Sequence, residues 1–288
     1  MQYIKELCLT NLALGSIFMG PHHTPFGFTW DRIGQHGIIL NSEYNYEDAQ
    51  IALQLSFIAT DSAAFGLPMN IPDWLQHTEI KYDACPINLI SKGIPNSEYN
   101  KPAPIAHILY NPGGNILFIV FVGTVNICLA GVDLKYAQVE YANITNYSEG
   151  VRGHGGIYST YMSIRNKLIT ALIPYLERNP QILITGHSLG GGLSQICALD
   201  LSEYGPIHYS FAAPMVFNNL GCEVFNKVVT NSYRVANLSD LVTMAPLPIM
   251  PNKDAFVHVG KLVHFQRNYG NYEKNHSRAY VEEYNLIS

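Results

Sequence analysis

One stretch, Gln181–Asp200 (QILITGHSLGGGLSQICALD), limits what this chain can fold into more than any other. The apolar run Ile182–Ile184 reads as a buried strand, and the residues beyond Gly190 read as an amphipathic helix. Between them Gly186-His187-Ser188-Leu189-Gly190 makes a sharp turn with a serine at its apex. A serine hydroxyl is a weak nucleophile at neutral pH unless it projects toward a base and lies beside donors that can receive an oxyanion. A strand-to-helix turn meets both needs, because it lifts Ser188 clear of the sheet and aims the first helical amides at it. Gly186 and Gly190 are expected where a Cβ would collide, and Gly191 and Gly192 where the helix must lie close to the sheet. The competing reading is a glycine-rich loop that only packs. The strand and helix on either side favour a nucleophile elbow.

At 288 residues the chain suits one large domain with a substantial core: residues 1–288 as a single unit, a core at about 45–285 and an N-terminal extension at 1–44. Apolar content of 48% with 14% charged residues is a globular balance, the opposite of a disordered one. A formal net charge of −5, with no Lys/Arg cluster, argues against a nucleic-acid partner. The five cysteines (Cys8, Cys85, Cys128, Cys197, Cys222) are odd in number and lack C-x-x-C spacing, which speaks against a zinc site or a dense disulfide framework and leaves one disulfide open. Most of the 19 tyrosines are expected as half-buried packing residues. No run approaches the roughly 18 apolar residues that span a bilayer. The opening segment has an apolar centre interrupted by Glu6 and Asn11, and reads as an ordinary helix or strand rather than a cleaved signal peptide. Location is thus open between cytoplasmic and exported. Glycosylation sequons begin at Asn143, Asn237 and Asn275, but two of these stand beside candidate site residues and read as chance matches.

Along the chain, Tyr46–Phe65 has apolar residues at helical spacing, with Glu47 and Asp48 at the expected N-terminal end. Residues 66–105 are rich in Pro and Asn and read as loops around a short helix near Trp74. AHILYN and ILFIVFVGT are two strands joined by the turn Pro112–Asn115, the second apolar throughout as in a strand covered on both faces. Residues 125–153 show no strong period. Gly156–Arg178 reads as a helix with Tyr161, Ile164, Leu168, Ile169, Leu172 and Leu176 on one face. After the elbow come strands at IHYSFAAP and NSYRVANLSD with a helix around Asn219–Val229 between them. FVHVGKLVHF reads as a hairpin or edge strand, and HSRAYVEEY as a terminal helix. Helices alternating with apolar strands predict an α/β fold with a mainly parallel central sheet and helices on both faces.

A serine in such an elbow needs a histidine base and an acid to orient it, which on such folds follow in the order Ser, Asp/Glu, His. The acid belongs just past the C-terminal end of a strand. Asp240 fits, in the loop after Tyr233–Leu238; Asp200 lies too close to Ser188, and Asp254 lacks a clear strand before it. The competing role for Asp240 is a loop Asx-turn. Of the later histidines, His208 precedes the acid, whereas His258 and His264 alternate with apolar residues like histidines on a sheet face. His276 falls in the polar stretch Asn271–Ser277 ahead of the last helix, where a mobile imidazole could reach Ser188. His276 is the favoured base and His258 the next.

With these residues in place, the chain resembles the class 3 (fungal-type) lipases of the α/β-hydrolase superfamily. The shared segments are Phe121-Val122-Gly123-Thr124, His154-Gly155-Gly156-Ile157-Tyr158, Gly186–Gly191, Phe211-Ala212-Ala213-Pro214, Tyr233–Asn237 running to Asp240, and Asn275-His276-Ser277 with Tyr280, in family order. The resemblance implies an α/β-hydrolase fold, a Ser188–His276–Asp240 triad, and an oxyanion hole from Thr124 and the backbone N–H of Leu189. It matches His258 to a non-catalytic histidine. His154-Gly155-Gly156 is a weaker candidate for the oxyanion hole, since it opens a helix. Three departures stand out: Val122 and Met215 where the family usually has arginine, and Ala130 for a common tryptophan, although Asp133 is retained. A lid is expected within Asn126–Tyr147, with Ile127, Leu129, Val132, Leu134 and Val139 shielding the site in water and meeting lipid when open; a plain connecting helix is the alternative.

Taken together, these residues predict a serine hydrolase of lipid esters, with no metal or organic cofactor and a lipid ester, met at a lipid–water interface, as partner. Acyl-chain length and lipid class are not readable. Two alternatives keep the same fold: a lipase-like interaction module without turnover, and acyl transfer to an acceptor other than water.

Overall fold

In the computed structural model, residues 38–66, 68–83, 102–124, 137–141, 149–246 and 255–286 are described, together with Trp30, Ile33, Gly34 and Ile144. Nine strands are described: β1 (Gln76–Tyr82), β2 (Ala103–Asn111), β3 (Ile116–Phe121), β4 (Gln138–Glu140), β5 (Arg152–His154), β6 (Gln181–His187), β7 (Ile207–Phe211), β8 (Ser232–Asn237) and β9 (Lys261–Phe265). Seven of them form one sheet in the order β1-β2-β3-β6-β7-β8-β9. β1, β2 and β3 pair antiparallel; from β3 to β9 every pairing is parallel. β4 and β5 make a separate antiparallel ribbon.

The helices are α1 (Tyr46–Phe65), α2 (Gly155–Leu176), α3 (Leu189–Asp200), α4 (Asn219–Val228) and the short α5 (Ala279–Glu283). They divide between two cores. Alternate residues of β3 show the division: Leu117, Ile119 and Phe121 join the core under α2 and α3, while Ile116, Phe118 and Val120 join the core under α1 and α5. Burial on both faces is why β3 and β6 read as continuous apolar runs.

Helix α1 starts and stops where expected. The Asn45 side chain accepts the Asp48 N–H at 3.0 Å, and Gly66 ends the helix at φ +65°, a conformation that costs a glycine little. Its sides are more buried than an amphipathic pattern implies: Gln50, Gln54, Ser56 and Asp61 lie inside with the apolar residues. Helix α3, expected to be amphipathic, is buried from Leu189 to Leu199 because it lies between the sheet and α2.

Two expectations are corrected and a third is decided between its alternatives. Gln76–Tyr82, within the segment read as loops, is strand β1, and the chain at Trp74 makes a turn rather than a helix. The segment FVHVGKLVHF, read as a hairpin or edge strand, is the edge strand: Lys261–Phe265 pairs parallel to β8 at the sheet edge. Gly192 faces α2, where a Cβ would meet Ile157 Cδ1 at 2.8 Å, and not the sheet. Asp254, Ala130, Asp133, Asn143, the residues 1–29 of the N-terminal extension and most of the expected lid lie outside the described residues. Val139, one of the lid candidates, sits half-buried in the β4–β5 ribbon.

Candidate active site

The turn between β6 and α3 is tight for reasons visible atom by atom. A Cβ on Gly186 would lie 2.2 Å from Gly190, and one on Gly190 would lie 2.5 Å from the carbonyl of Phe121. Ser188 takes φ +59°, ψ −127°, a conformation rare for any residue with a side chain and characteristic of a strained functional turn. Its backbone is pinned from both sides, the N–H donating to Phe211 O at 2.9 Å and the carbonyl accepting from Gly192 N at 3.2 Å. The hydroxyl makes no capping bond to α3, although serine is a good cap. It meets His276 Nε2 at 2.8 Å instead.

His276 Nδ1 lies 2.9 Å from Asp240 Oδ2, so the imidazole carries its proton on Nδ1 and presents the Nε2 lone pair to Ser188. Both partners are buried, His276 at 3% and Asp240 at 1% exposure. Asp240 follows β8 by three residues, where the Asp240 N–H donates to Asn237 O. Its Oδ1 accepts the Val242 N–H at 3.0 Å, so the Asx-type turn and the contact with histidine coexist, one on each oxygen. Tyr280 donates its hydroxyl to Asp240 Oδ2 at 3.0 Å and accepts the Asn237 N–H at 2.9 Å. Burial, and then the charge of Asp240, raises the Tyr280 pKa well above 10, which keeps it a donor.

His276 is not in a mobile loop. It sits in a single π-helical turn, Lys274–Arg278, that runs directly into α5. Such turns are uncommon and frequent at functional sites. The turn is tied down from outside: Asn237 Nδ2 donates to Asn275 O, Asn275 Nδ2 to Ser239 O, and His187 Nε2 to His276 O at 2.8 Å. His187 is held well below the usual histidine range by burial and then by the neighbouring His276, so it stays neutral and donates. The amides of Asn237 and Asn275 are thus committed inside the fold, and both residues are buried, which leaves no room for a glycan.

The segment after β3 runs beside the elbow. A Cβ on Gly123 would lie 3.3 Å from His187 O, and the Gly123 N–H donates to Thr60 Oγ1 of α1 at 3.1 Å. Thr124 is the next residue, half-buried, three residues past the end of β3 rather than at the strand end. Leu189 is the first residue of α3, whose N–H has no carbonyl partner within the helix. Val122, in place of the family arginine, is fully buried in the α1 core. Met215 is half-buried, and its N–H donates to Ala245 O.

The remaining candidates have other tasks. His154 Nδ1 caps α2 by accepting the Ile157 N–H. Asp200 takes a two-pronged contact from Arg165 and a third from Tyr161. His208 lies between Ser194 and Ser232, His258 Nε2 donates to Thr243 O, and His264 is exposed on β9. Sequence reasoning gave no role to Tyr280, His187, Thr60 or Asn237. Tyr280, His187 and Asn237 stood inside matched motifs, but nothing in the linear chain says whose atoms they reach. Among the described residues no group of three or more His, Cys, Asp or Glu side chains is placed to hold a metal ion. No described helix is long and apolar enough to cross a membrane.

A mainly parallel sheet with a serine turn after its central strand, an acid in the loop after β8 and a histidine in the helical turn before α5 is the arrangement of the α/β-hydrolase fold. Comparison with known proteins points the same way: the class 3 lipase pattern matches residues 118–250 of this chain. It is 29% identical over 158 residues to a lipase of Rhizomucor miehei, covering 50% of this chain and 40% of that protein. It is 26% identical over 126 residues to the chloroplastic phospholipase A(1) DAD1 of Arabidopsis thaliana, covering 39% and 28%. The chain thus spans less than half the length of these curated relatives. The solved triacylglyceride lipase of Rhizomucor miehei superposes with a TM-score of 0.56 at 19% identity, over 75% of this chain and 77% of that one.

Proposed function

We propose that this chain is a serine hydrolase of carboxylic esters of lipids. Ser188 Oγ attacks the acyl carbonyl while His276 Nε2 takes its proton. Asp240 holds the imidazole in the required tautomer and stabilises the imidazolium that forms. The N–H of Leu189 and the Thr124 residue receive the developing oxyanion. The tetrahedral intermediate collapses, His276 returns the proton to the departing alcohol, and an acyl-enzyme remains on Ser188. Water, deprotonated by His276, then releases the free acid and restores the serine.

The observation that carries this reading is the unbroken relay from Ser188 Oγ through His276 to Asp240, at 2.8 and 2.9 Å, on a turn whose backbone is strained to present the hydroxyl. Lipid as the substrate class rests on the relatives, whose names include a triacylglyceride lipase and a phospholipase A(1). The exposed apolar side chains Leu238, Leu241 and Met244 flank Asp240 and suit contact with a lipid–water interface.

The test is release of p-nitrophenol from short- and long-chain acyl esters, with and without a lipid interface. Wild type should turn over, with the longer acyl chains favoured when an interface is present. Ser188→Ala should lose on the order of 10⁴-fold or more in kcat. Well-folded wild type that hydrolyses none of these esters overturns the proposal.

A further inference from the structure

A second set of polar side chains lies on the sheet face under α2, α3 and α4, apart from the relay. His208 and Ser232 are register partners on β7 and β8, hydrogen-bonded at 2.8 Å, and the same imidazole reaches Ser194 of α3 at 3.0 Å. The partners two residues on along these strands are Ser210 and Arg234. They point to the same face, because strand side chains alternate with a period of two. Here the pairing stops. Ser210, 1% exposed, has a hydroxyl with no hydrogen-bond partner among the described residues, and Arg234 Nε is buried in the same condition.

Gln195 of α3 is fully buried, and neither atom of its amide is partnered. It stands four residues after Gly191, on the helix face that touches Ala213 and the Phe211 carbonyl at the end of β7. Helical side chains lean toward the helix N-terminus, so Gln195 leans toward the end of β7, against which Gly191 is closely packed. His258 borders the group: its Nε2–H is spent on Thr243 O, its Nδ1 is buried without a partner, and it feels the charge of Arg234.

Arg234 differs from most of the described arginines. Arg152, Arg165, Arg267 and Arg278 each meet a carboxylate and Arg178 lies over the Tyr110 ring, whereas Arg234 meets no carboxylate among the described residues. Burial consequently lowers its pKa. A partly buried cation without a counter-charge is an unfinished ion pair, even though the Gln195 oxygen and His258 Nδ1 beside it are unpartnered acceptors. Water could satisfy the donors but would leave the charge uncompensated.

We propose that Arg234, Ser210 and Gln195 form an internal site for one small monovalent anion, a halide or a formate-sized carboxylate. The guanidinium supplies the charge and part of the fork, and the hydroxyl and amide supply two further N–H or O–H donors. This site is independent of ester hydrolysis.

Thermal unfolding of the full chain tests it, at constant ionic strength, as bulky gluconate is exchanged for chloride, bromide or formate. For at least one small anion the wild-type Tm rises and its anion dependence follows a single-site curve. Ser210→Ala, lacking one donor to a charged ligand, needs about tenfold more anion for the same rise. Gln195→Leu weakens the response in the same direction, and Arg234→Leu abolishes it. Should Arg234→Leu fail to fold, the other two variants decide. A wild-type Tm that does not distinguish small anions from gluconate overturns the proposal. So does a response that Ser210→Ala and Gln195→Leu leave unchanged, since the anion then acts elsewhere.

Discussion

Strand β8 leads to one ionic group and carries another, and the two are built on opposite terms. Past its end, Asp240 has every contact answered within the chain: Oδ1 by the Val242 N–H, Oδ2 by His276 and Tyr280. Inside the strand, Arg234 faces the neighbouring core with Nε unpartnered, beside a buried Ser210 hydroxyl in the same state. A completed network fixes geometry, so each member is costly to remove. An incomplete one costs folding energy unless something from outside completes it. Removing a member of the first should therefore hurt, and removing the arginine of the second should not.

The largest expected effect lies at Asp240. Asp240→Asn keeps the shape but turns an acceptor into a donor where His276 Nδ1–H and Tyr280 O–H both arrive. The imidazole then takes the wrong tautomer, and kcat on a p-nitrophenyl ester should fall about 10⁴-fold. Circular dichroism and a thermal melt close to those of wild type would show that the loss is chemical. A variant that retains most of its activity would remove Asp240 from the relay.

How much of this was legible in the chain depends on whether the deciding contact is local. The elbow was, because Gly186 and Gly190 are required by atoms within or beside the same turn, and the bounds of α1 were, because Asn45 and Gly66 cap it. Strand β1 was not: QHTEIKY buries only Ile80 and Tyr82, since it is an edge strand. Near His276 the polar run NYEKNH resembles a loop, yet Asn237, Asn275 and His187 fasten it as a π-helical turn through partners 36 to 89 residues apart. The Arg234 group was illegible for the reverse reason. Its character lies in partners that are missing, and a sequence cannot show a missing contact.

Tyr280→Phe gives a smaller effect that sharpens the comparison. It removes one hydrogen bond to the Asp240 carboxylate and leaves the buried Asn237 N–H without its acceptor. Loss of a bond to a charged group should lower kcat about 10- to 100-fold with little change in KM, and stability to denaturant should fall by about 1–3 kcal/mol. Stability lost with kcat intact would show that the tyrosine only packs and does not position the acid.

The smallest effect, and the sharpest contrast, belongs to Arg234→Leu in an anion-free medium. Exchanging an unpaired, partly buried charge for an apolar side chain should leave stability unchanged or raise it by about 1–2 kcal/mol. A drop of the size expected for Tyr280→Phe would erase the distinction between the two groups. The same variant should be visible at His258, whose pKa is pushed down to about 4 by burial first and by the charge of Arg234 second. The unfolded chain takes up a proton on this histidine below about 6.5, whereas the folded chain declines it until about pH 4. Stability therefore falls as pH drops through that window. Without the guanidinium, the folded pKa should rise part of the way toward 6.5, because burial remains, and the window should narrow from its acid end. An NMR titration of the His258 ring reads this directly, and an unchanged midpoint would mean that the unpaired charge of Arg234 does not reach the histidine at all.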